Sequence, residues 1–221
     1  MPMIKFCIPV ILTLIVALSA PQAHAQSAGG SYEEALKLVR SGQWVKALSE
    51  FKPLAEEGHA ASQFSIGLIY HLGRGVKQNT ATAYEWYKKA ALQEHPGALN
   101  NIGMMYLNGE YVAQNRSVAF DLFQMASFEH AQAKDNLAQC YENAWGVERN
   151  IVKAINFYRL AGEQGYILGY YHAGQLFEKG YPGTPKDEDL AVKWYTMAAE
   201  RDFTKAHTRL IELRRLPDHL K

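Results

Sequence analysis

The stretch SIGLIYHLGRGVKQNTATAYEWYKKAAL, residues 65–92, decides the fold of this chain. Its second half carries small and aromatic residues at the i, i+3, i+4, i+7 spacing of one helix face, namely Ala83, Trp86, Tyr87 and Ala90. Its first half is apolar and runs into a glycine-rich turn that begins at Gly73. Glycine at this place favours the left-handed conformation that ends a helix. The stretch therefore predicts two helices joined by a tight turn.

The same pattern returns about every 36 residues. One alanine recurs in register, at Ala47, Ala83, Ala119, Ala154 and Ala191. An aromatic side chain follows four residues later in each copy, at Phe51, Tyr87, Phe123, Tyr158 and Tyr195. A small residue recurs in the preceding helix, at Gly67, Gly103, Ala138 and Gly174. Because glycine inside a helix costs about 1 kcal/mol relative to alanine, its recurrence predicts that two helix backbones cross closely in each copy.

The turns and the helix starts repeat as well. The first helix of each copy ends at a small residue, at Gly73, Gly109, Ala144 and Gly180. The second helix follows a side chain that caps free backbone N–H groups, at Asn79, Asn115, Asn150 and Asp187. The acidic run 187–189 complements the helix dipole and needs no catalytic explanation.

A phosphate-binding loop at Lys77 is excluded because its glycine spacing is missing and no strand precedes it.

Together these motifs resemble the Sel-one-like repeat, a tetratricopeptide-like helix–turn–helix unit, over about residues 60–202. The resemblance implies an all-α, right-handed α/α superhelical solenoid of about five helix–turn–helix repeats and a capping helix, with eleven helices and no strands. We expect a tetratricopeptide-like N-terminal capping repeat at 26–59, repeats at 60–95, 96–130, 131–165 and 166–202, and a C-terminal capping helix and tail at 203–221.

The N-terminus has the pattern of a secretory signal. Lys5 precedes an apolar run from Phe6 to Ala20, and Ala23-His24-Ala25 gives a small-x-small cleavage site. We therefore expect residues 1–25 to be cleaved and the protein to be exported, periplasmic or secreted, without stable membrane insertion afterwards. Cleavage leaves 22 basic and 22 acidic side chains, so no net charge favours nucleic acid as a partner. Cys140 is then the one remaining cysteine, and no disulfide within the chain is possible.

Few residues are candidates for catalysis or metal binding. His59, His95 and His130 lie at equivalent repeat ends, which a solenoid separates by about 8–10 Å, too far for one metal ion. We interpret them as loop histidines at repeat boundaries. Cys140 takes the register of Ile69 and is expected in the core, with an unreactive thiol. The sequence predicts no catalytic residue, no metal and no cofactor.

The resemblance instead implies a partner-binding concave face, lined by the first helix of each repeat. The residues carried over to this face are Phe64, Leu68, His71, Asn100, Met104, Leu107, Asp135, Gln139, Tyr171 and Gln175. Glu142 and Glu178 share the register of His71 and Leu107. These positions vary from copy to copy while the core positions do not. Such variation suits a surface that contacts different parts of one partner, and it also suits ordinary solvated or inter-helix positions.

Three functions follow from these observations. The first is a non-catalytic protein–protein interaction scaffold or adaptor in the bacterial periplasm or outside the cell, binding a protein or peptide of unknown identity. The second is a structural subunit of an envelope machine, such as a flagellar motor ring. The third is a hydrolase acting on β-lactams or peptidoglycan. The family members linked to β-lactams carry a cysteine pair in each repeat, which this chain lacks.

Overall fold

The computed structural model describes residues 31–221, and the predicted signal segment lies outside the described residues. The described residues form eleven α-helices: α1 (Tyr32–Arg40), α2 (Trp44–Glu56), α3 (Ala60–Leu72), α4 (Thr80–Ala91), α5 (Pro96–Asn108), α6 (Arg116–Ala126), α7 (Ala131–Asn143), α8 (Ile151–Glu163), α9 (Leu168–Lys179), α10 (Glu188–Ala199) and α11 (Thr204–Glu212). A short 3-10 turn follows at Asp218–Leu220. Among these residues the only β feature is an isolated bridge between Tyr181 and Thr184. The predicted all-helical fold is confirmed.

The helices alternate between two layers. We call the odd-numbered helices α3, α5, α7 and α9 the first helices, and the even-numbered helices α4, α6, α8 and α10 the second helices. Each helix packs against its neighbours in sequence, and the first helices α5 and α7 also approach each other directly. No two second helices come as close. The stack is therefore tightest, at its centre, on the side of the first helices, and we take this side as its inner surface.

The recurrent alanines and aromatics form the core, as predicted. All five alanines are 0% exposed, and the aromatic rings are at most 1% exposed. The recurrent glycines work differently from the prediction. A Cβ atom added at Gly67 would lie 2.5 Å from the ring of Tyr87, and one at Gly103 would lie 2.7 Å from the ring of Phe123. The space left by the missing side chain, here called the notch, thus holds an aromatic ring of the second helix. It does not bring the two helix backbones into contact.

The turns share one geometry in three repeats. Gly73, Gly109 and Ala144 end their helices in the left-handed conformation, with φ of 63°, 70° and 58°. The fourth turn is longer, and Gly180 departs from this geometry with ψ of 149°. Every predicted N-cap side chain accepts a backbone hydrogen bond, at Asn79, Asn115, Asn150 and Asp187. The same cap residues donate their own N–H groups to carbonyls of the first helix, from Asn79 to Tyr70 at 2.9 Å for example. The two helix ends of each repeat are therefore held together locally.

Both ends of the stack have their own packing. At the N-terminal end α1 and α2 bury Ala35 and Phe51 against α3. At the C-terminal end α11 packs on α10, and its Ala206 and Leu210 are both 0% exposed. The end helices therefore cover apolar faces that have no further repeat to contact. None of the helices in residues 31–221 combines the length and apolar character that a bilayer crossing needs.

Candidate functional site

All ten residues predicted to bind a partner lie on the first helices α3, α5, α7 and α9, whose inner surface is here called the groove. Seven of them are half-buried: Phe64, Leu68, His71, Met104, Leu107, Gln139 and Tyr171. Gln175 is exposed. Asn100 and Asp135 are each only 1% exposed. These two side chains therefore offer almost no surface to a partner, because they are used within the fold.

Asn100 is used to join two repeats. Its Oδ1 atom accepts a hydrogen bond of 2.8 Å from Nδ2 of Asn136 on the next first helix. Its own Nδ2 atom donates to Oδ1 of Asn101 at 3.4 Å. A buried amide without such partners would cost roughly 1–3 kcal/mol. The burial of Asn100 is thus explained by its contact across the repeat boundary.

Asp135 makes the equivalent connection one repeat further on. Its Oδ1 atom lies 2.9 Å from Nδ1 of His172, and its Oδ2 atom accepts 2.9 Å from Nε2 of Gln139. A buried carboxylate is costly unless it is paired or hydrogen-bonded. Because an ionised carboxylate only accepts hydrogen bonds, Nδ1 of His172 is the donor in this pair. His172 is half-buried beside Tyr158, with ring centroids 5.0 Å apart.

Sequence reasoning missed the partners in both contacts. Asn136 and His172 were not among the candidate residues, although each follows its partner by 36 or 37 residues. The signal available in the sequence was this spacing of one repeat, together with polar residues at both places. The two contacts give the groove a row of polar groups that are already ordered.

The register of His71 also has a structural explanation. Tyr158 donates to Glu142 at 2.7 Å, and Tyr195 donates to Glu178 at 2.6 Å. His71 takes the same place opposite Tyr87, with Nδ1 and the hydroxyl oxygen 3.2 Å apart. In the remaining repeat the aromatic is Phe123, which has no hydroxyl, and the facing residue is the apolar Leu107. Variation at this register therefore follows the aromatic that each side chain faces.

These buried tyrosines are held in the neutral form. Burial is the main cause of the raised pKa of Tyr158 and Tyr195, and the facing carboxylates raise it further. Burial likewise raises the pKa of Tyr87. The tyrosine hydroxyls therefore act as hydrogen-bond donors, and nothing in this arrangement activates them as nucleophiles.

Aromatic side chains lie at both ends of the groove. Phe64 stacks on His95 with ring centroids 4.6 Å apart. Tyr171 packs against Tyr195 at 5.4 Å and against Phe203 at 5.3 Å. Between them Met104 and Leu107 contact the central core. The groove thus offers aromatic rings at its ends, with Met104, Leu107 and the amide of Gln139 between them, which suits a polypeptide with mixed contacts.

The three repeat-end histidines are confirmed at equivalent positions, and each has a local role. His95 Nδ1 accepts from the N–H of Ala98 at 3.3 Å, and His130 Nδ1 accepts from Ala133 at 3.2 Å. His59 Nδ1 lies 2.8 Å from the hydroxyl of Ser62. His95 and His130 therefore cap α5 and α7, whereas His59 makes no side-chain capping bond to the backbone of α3. Within residues 31–221 no three His, Cys, Asp or Glu side chains converge as metal ligands would.

Cys140 lies in the core, as predicted. Its side chain is 0% exposed, and burial raises the pKa of its thiol to about 12. Thiolate is the nucleophilic form of cysteine, and it is strongly disfavoured here. Cys140 is therefore a packing residue among Leu137 and Leu176.

Comparison with known proteins agrees with this geometry. The model of the Sel1 repeat family matches residues 60–95, 96–127, 131–166 and 167–203, more than half of the chain. The fold is similar to that of a Sel1 repeat protein from Oxalobacter formigenes, with a TM-score of 0.75 and 30% sequence identity. That similarity covers 81% of this chain and 74% of the other.

Two curated relatives are much longer. Chitin synthase regulatory factor 3 of Schizosaccharomyces pombe is 28% identical over 172 residues, which are 75% of this chain and 18% of that protein. A sel1-like repeat-containing protein of Acanthamoeba polyphaga mimivirus is 34% identical over 86 residues, covering 39% of this chain and 16% of the other. The chain therefore spans less than a fifth of the length of either relative.

Proposed function

Because the chain belongs to the Sel1 repeat family, whose members commonly serve as protein–protein interaction scaffolds, we propose that it is a non-catalytic scaffold. In this proposal the groove of α3, α5, α7 and α9 binds one segment of a partner protein. The observation that carries the proposal is the ordered groove itself, in which hydrogen bonds between repeats fix Asn100 and Asp135. A surface that is already ordered loses less conformational entropy on binding.

The side chains left for a partner are the half-buried and exposed ones. Leu68, Met104 and Gln175 lie in one register along three first helices, and Gln139 completes it. Apolar and amide side chains in one row can cover apolar residues of a bound segment and pair with its main-chain groups. Asp135 orders one member of this row, because its Oδ2 atom accepts a hydrogen bond from Nε2 of Gln139.

The binding experiment compares two matched variants. Met104→Lys with Gln175→Lys adds two charges to the groove, and Met125→Lys with Gln124→Lys adds the same two charges to the second helix α6. Each protein, from Gln26 onward, is used to capture partners from envelope extract, and the captured protein is then titrated by calorimetry. We expect the groove variant to lose the partner and the α6 variant to keep it. Equal binding by both variants, with unchanged helical circular dichroism, would place the site elsewhere.

The compartment is a second part of the proposal and rests on the N-terminal sequence. We propose that residues 1–25 direct export and that the working protein begins at Gln26. Mass spectrometry of the protein from cell fractions tests this directly. A periplasmic or secreted species starting at Gln26 is expected, and a cytoplasmic species that keeps Lys5 would contradict it.

A further inference from the structure

The edge of the solenoid where first helices end and second helices begin carries a row of basic side chains. We call this edge, from α1 to α8, the turn rim. Seven exposed cations lie along it: Arg40, Lys46, Arg74, Lys77, Arg116, Arg149 and Lys153. Three acids interrupt the row, the half-buried Glu110 and Glu142 and the exposed Glu148. Since the described chain holds 22 basic and 22 acidic residues, the rim is a local excess of positive charge.

Several of these cations occupy places that helix electrostatics disfavours. Lys46, Arg116 and Lys153 lie in the first turns of α2, α6 and α8, where the helix dipole favours acids. None of these first turns contains an acid, whereas α10 has Glu188 and Asp189 in its first turn. Within residues 31–221 no ion pair joins Arg74, Lys77, Arg116, Arg149 or Lys153 to a carboxylate. Their charges are therefore available to a partner.

Aromatic rings hold several of the cations in place. Arg74 lies over the ring of Trp44 at 5.9 Å, and Arg116 lies over Trp145 at the same distance. Both contacts join neighbouring units of the stack. Because the rings carry no formal charge, they position the guanidinium groups without neutralising them.

Tyr111, at the middle of the rim, adds an independent observation. It has a φ of 65° and is 55% exposed. The equivalent residues in neighbouring turns are Gly75 and Gly146, with φ of 71° and 73°. The left-handed region is unfavourable for residues other than glycine, because the Cβ atom crowds the backbone there. An exposed tyrosine therefore stands where glycine would fit the backbone with less strain, and its ring packs at a tilt against Tyr84, with centroids 5.3 Å apart.

We propose that the turn rim binds an extended acidic segment of a partner protein. Neighbouring repeats lie about 8–10 Å apart, so four turns span roughly 25–30 Å, the length of about eight extended residues. The separate side-chain carboxylates of such a segment can pair with the rim cations and avoid the acids of the rim. A continuous polyanion such as nucleic acid would be repelled by the three acids of the rim. The inference rests on the proposed scaffold function for its class of partner, but it concerns a surface separate from the groove.

The probe for the test is a fluorescein-labelled peptide of about eight glutamates, which matches the length of the rim. Its anisotropy is measured with the full chain at low and at physiological salt. The rim variant carries Arg74→Gln, Lys77→Gln, Arg149→Gln and Lys153→Gln. The control variant carries Lys52→Gln, Lys88→Gln, Lys193→Gln and Lys221→Gln, so both lose four charges. We expect the rim variant to bind about tenfold more weakly at low salt and the control to bind as wild type does.

Three results would overturn the inference: no binding by wild type, equal weakening of both variants, or binding of duplex DNA or phosphatidylglycerol vesicles at the rim with the strength of the peptide. Tyr111→Gly is a second variant, expected to raise the melting temperature and weaken peptide binding. Unchanged peptide binding in that variant would contradict the argument from backbone strain. If the two surfaces are separate, the groove variants bind the glutamate peptide as wild type does. Failure of the groove proposal can therefore be distinguished from failure of the rim proposal.

Discussion

The side chain that faces each core aromatic depends on whether that aromatic is a tyrosine, with a hydroxyl group, or a phenylalanine, without one. Tyr158 and Tyr195 donate to Glu142 and Glu178, whereas Phe123 faces an apolar residue. A buried hydroxyl or carboxylate that loses its partner costs more than the hydrogen bond itself contributes. The two members of each pair are therefore coupled, and the repeat with Phe123 shows an apolar pair in the same place.

We expect this coupling to appear in a double-mutant cycle. Tyr158→Phe should destabilise the protein by about 1–2 kcal/mol, because Glu142 then keeps only the hydroxyl of Tyr181, at 3.4 Å. Glu142→Leu should cost a similar amount by leaving the hydroxyl of Tyr158 unpaired. The double variant copies the pair Leu107 and Phe123 and should recover most of the loss, a coupling of about 1–2 kcal/mol in urea unfolding. Additive losses would contradict the pairing.

The capping histidines predict how stability depends on pH. Burial, with a further effect of the charge on His130, lowers the pKa of His95 below its ordinary 6.5, and burial with Lys134 lowers that of His130. The unfolded chain therefore binds these protons more readily than the folded chain. Their contribution is fully present above pH 6.5 and declines as the pH falls toward the lowered pKa values.

Substitution by asparagine tests this dependence, since asparagine also caps helices but does not titrate. Urea unfolding of His95→Asn with His130→Asn should show a smaller loss of stability between neutral and mildly acidic pH than wild type. His219→Asn, which removes an exposed histidine, serves as control. A wild-type slope in the double variant would show that these caps do not cause the loss.

At the scale of elements, each turn depends on one left-handed residue at the end of its first helix. Gly73 and Gly109 meet this need without strain, whereas Ala144 adopts the same conformation with a φ of 58°. Alanine in the left-handed region is strained, and glycine relieves the strain at the expense of a more flexible unfolded chain. The repeats thus provide both versions of one turn within a single chain.

A reciprocal exchange at these turns should therefore have opposite effects. Ala144→Gly should stabilise the protein by about 1 kcal/mol, and Gly109→Ala should destabilise it by a similar amount. At Gly109 an added Cβ would also lie 3.3 Å from the Cβ atom of Gln114, a tight contact that adds to the loss. Thermal and urea unfolding of the two variants measure the effect. The same sign in both would mean that the turn backbone is not what limits stability.

At the scale of the whole molecule, stability is shared between neighbouring units of the stack. Each helix packs mainly on the helices next to it in sequence, and the hydrogen bonds between repeats reach one repeat along. A linear array of this kind can lose structure at one end while the other end stays folded. The covering helix α11 is therefore important for the fourth repeat in particular.

Leu210→Ala tests this local dependence. Leu210 is 0% exposed on α11, and truncating such a side chain usually costs about 2–5 kcal/mol. We expect hydrogen exchange to rise in α9, α10 and α11 and to stay unchanged in α3 and α4. Ile211→Ala, on the exposed side of the same helix, is the matched control with 52% exposure. A uniform rise along the chain would show that the array unfolds as one unit.

The sequence by itself determined the repeat length, the all-helical fold, the left-handed turn ends and the capping residues. These features depend on local preferences, such as those of Gly73 and Asn79, which act within a few residues of the chain. The tertiary structure alone decided which candidate groove residues are free. Asn100 and Asp135 are buried because Asn136 and His172 reach them from the next repeat. It also showed a ring of Tyr87 in the notch of Gly67. Contacts between repeats depend on the curvature of the stack, which no single repeat specifies.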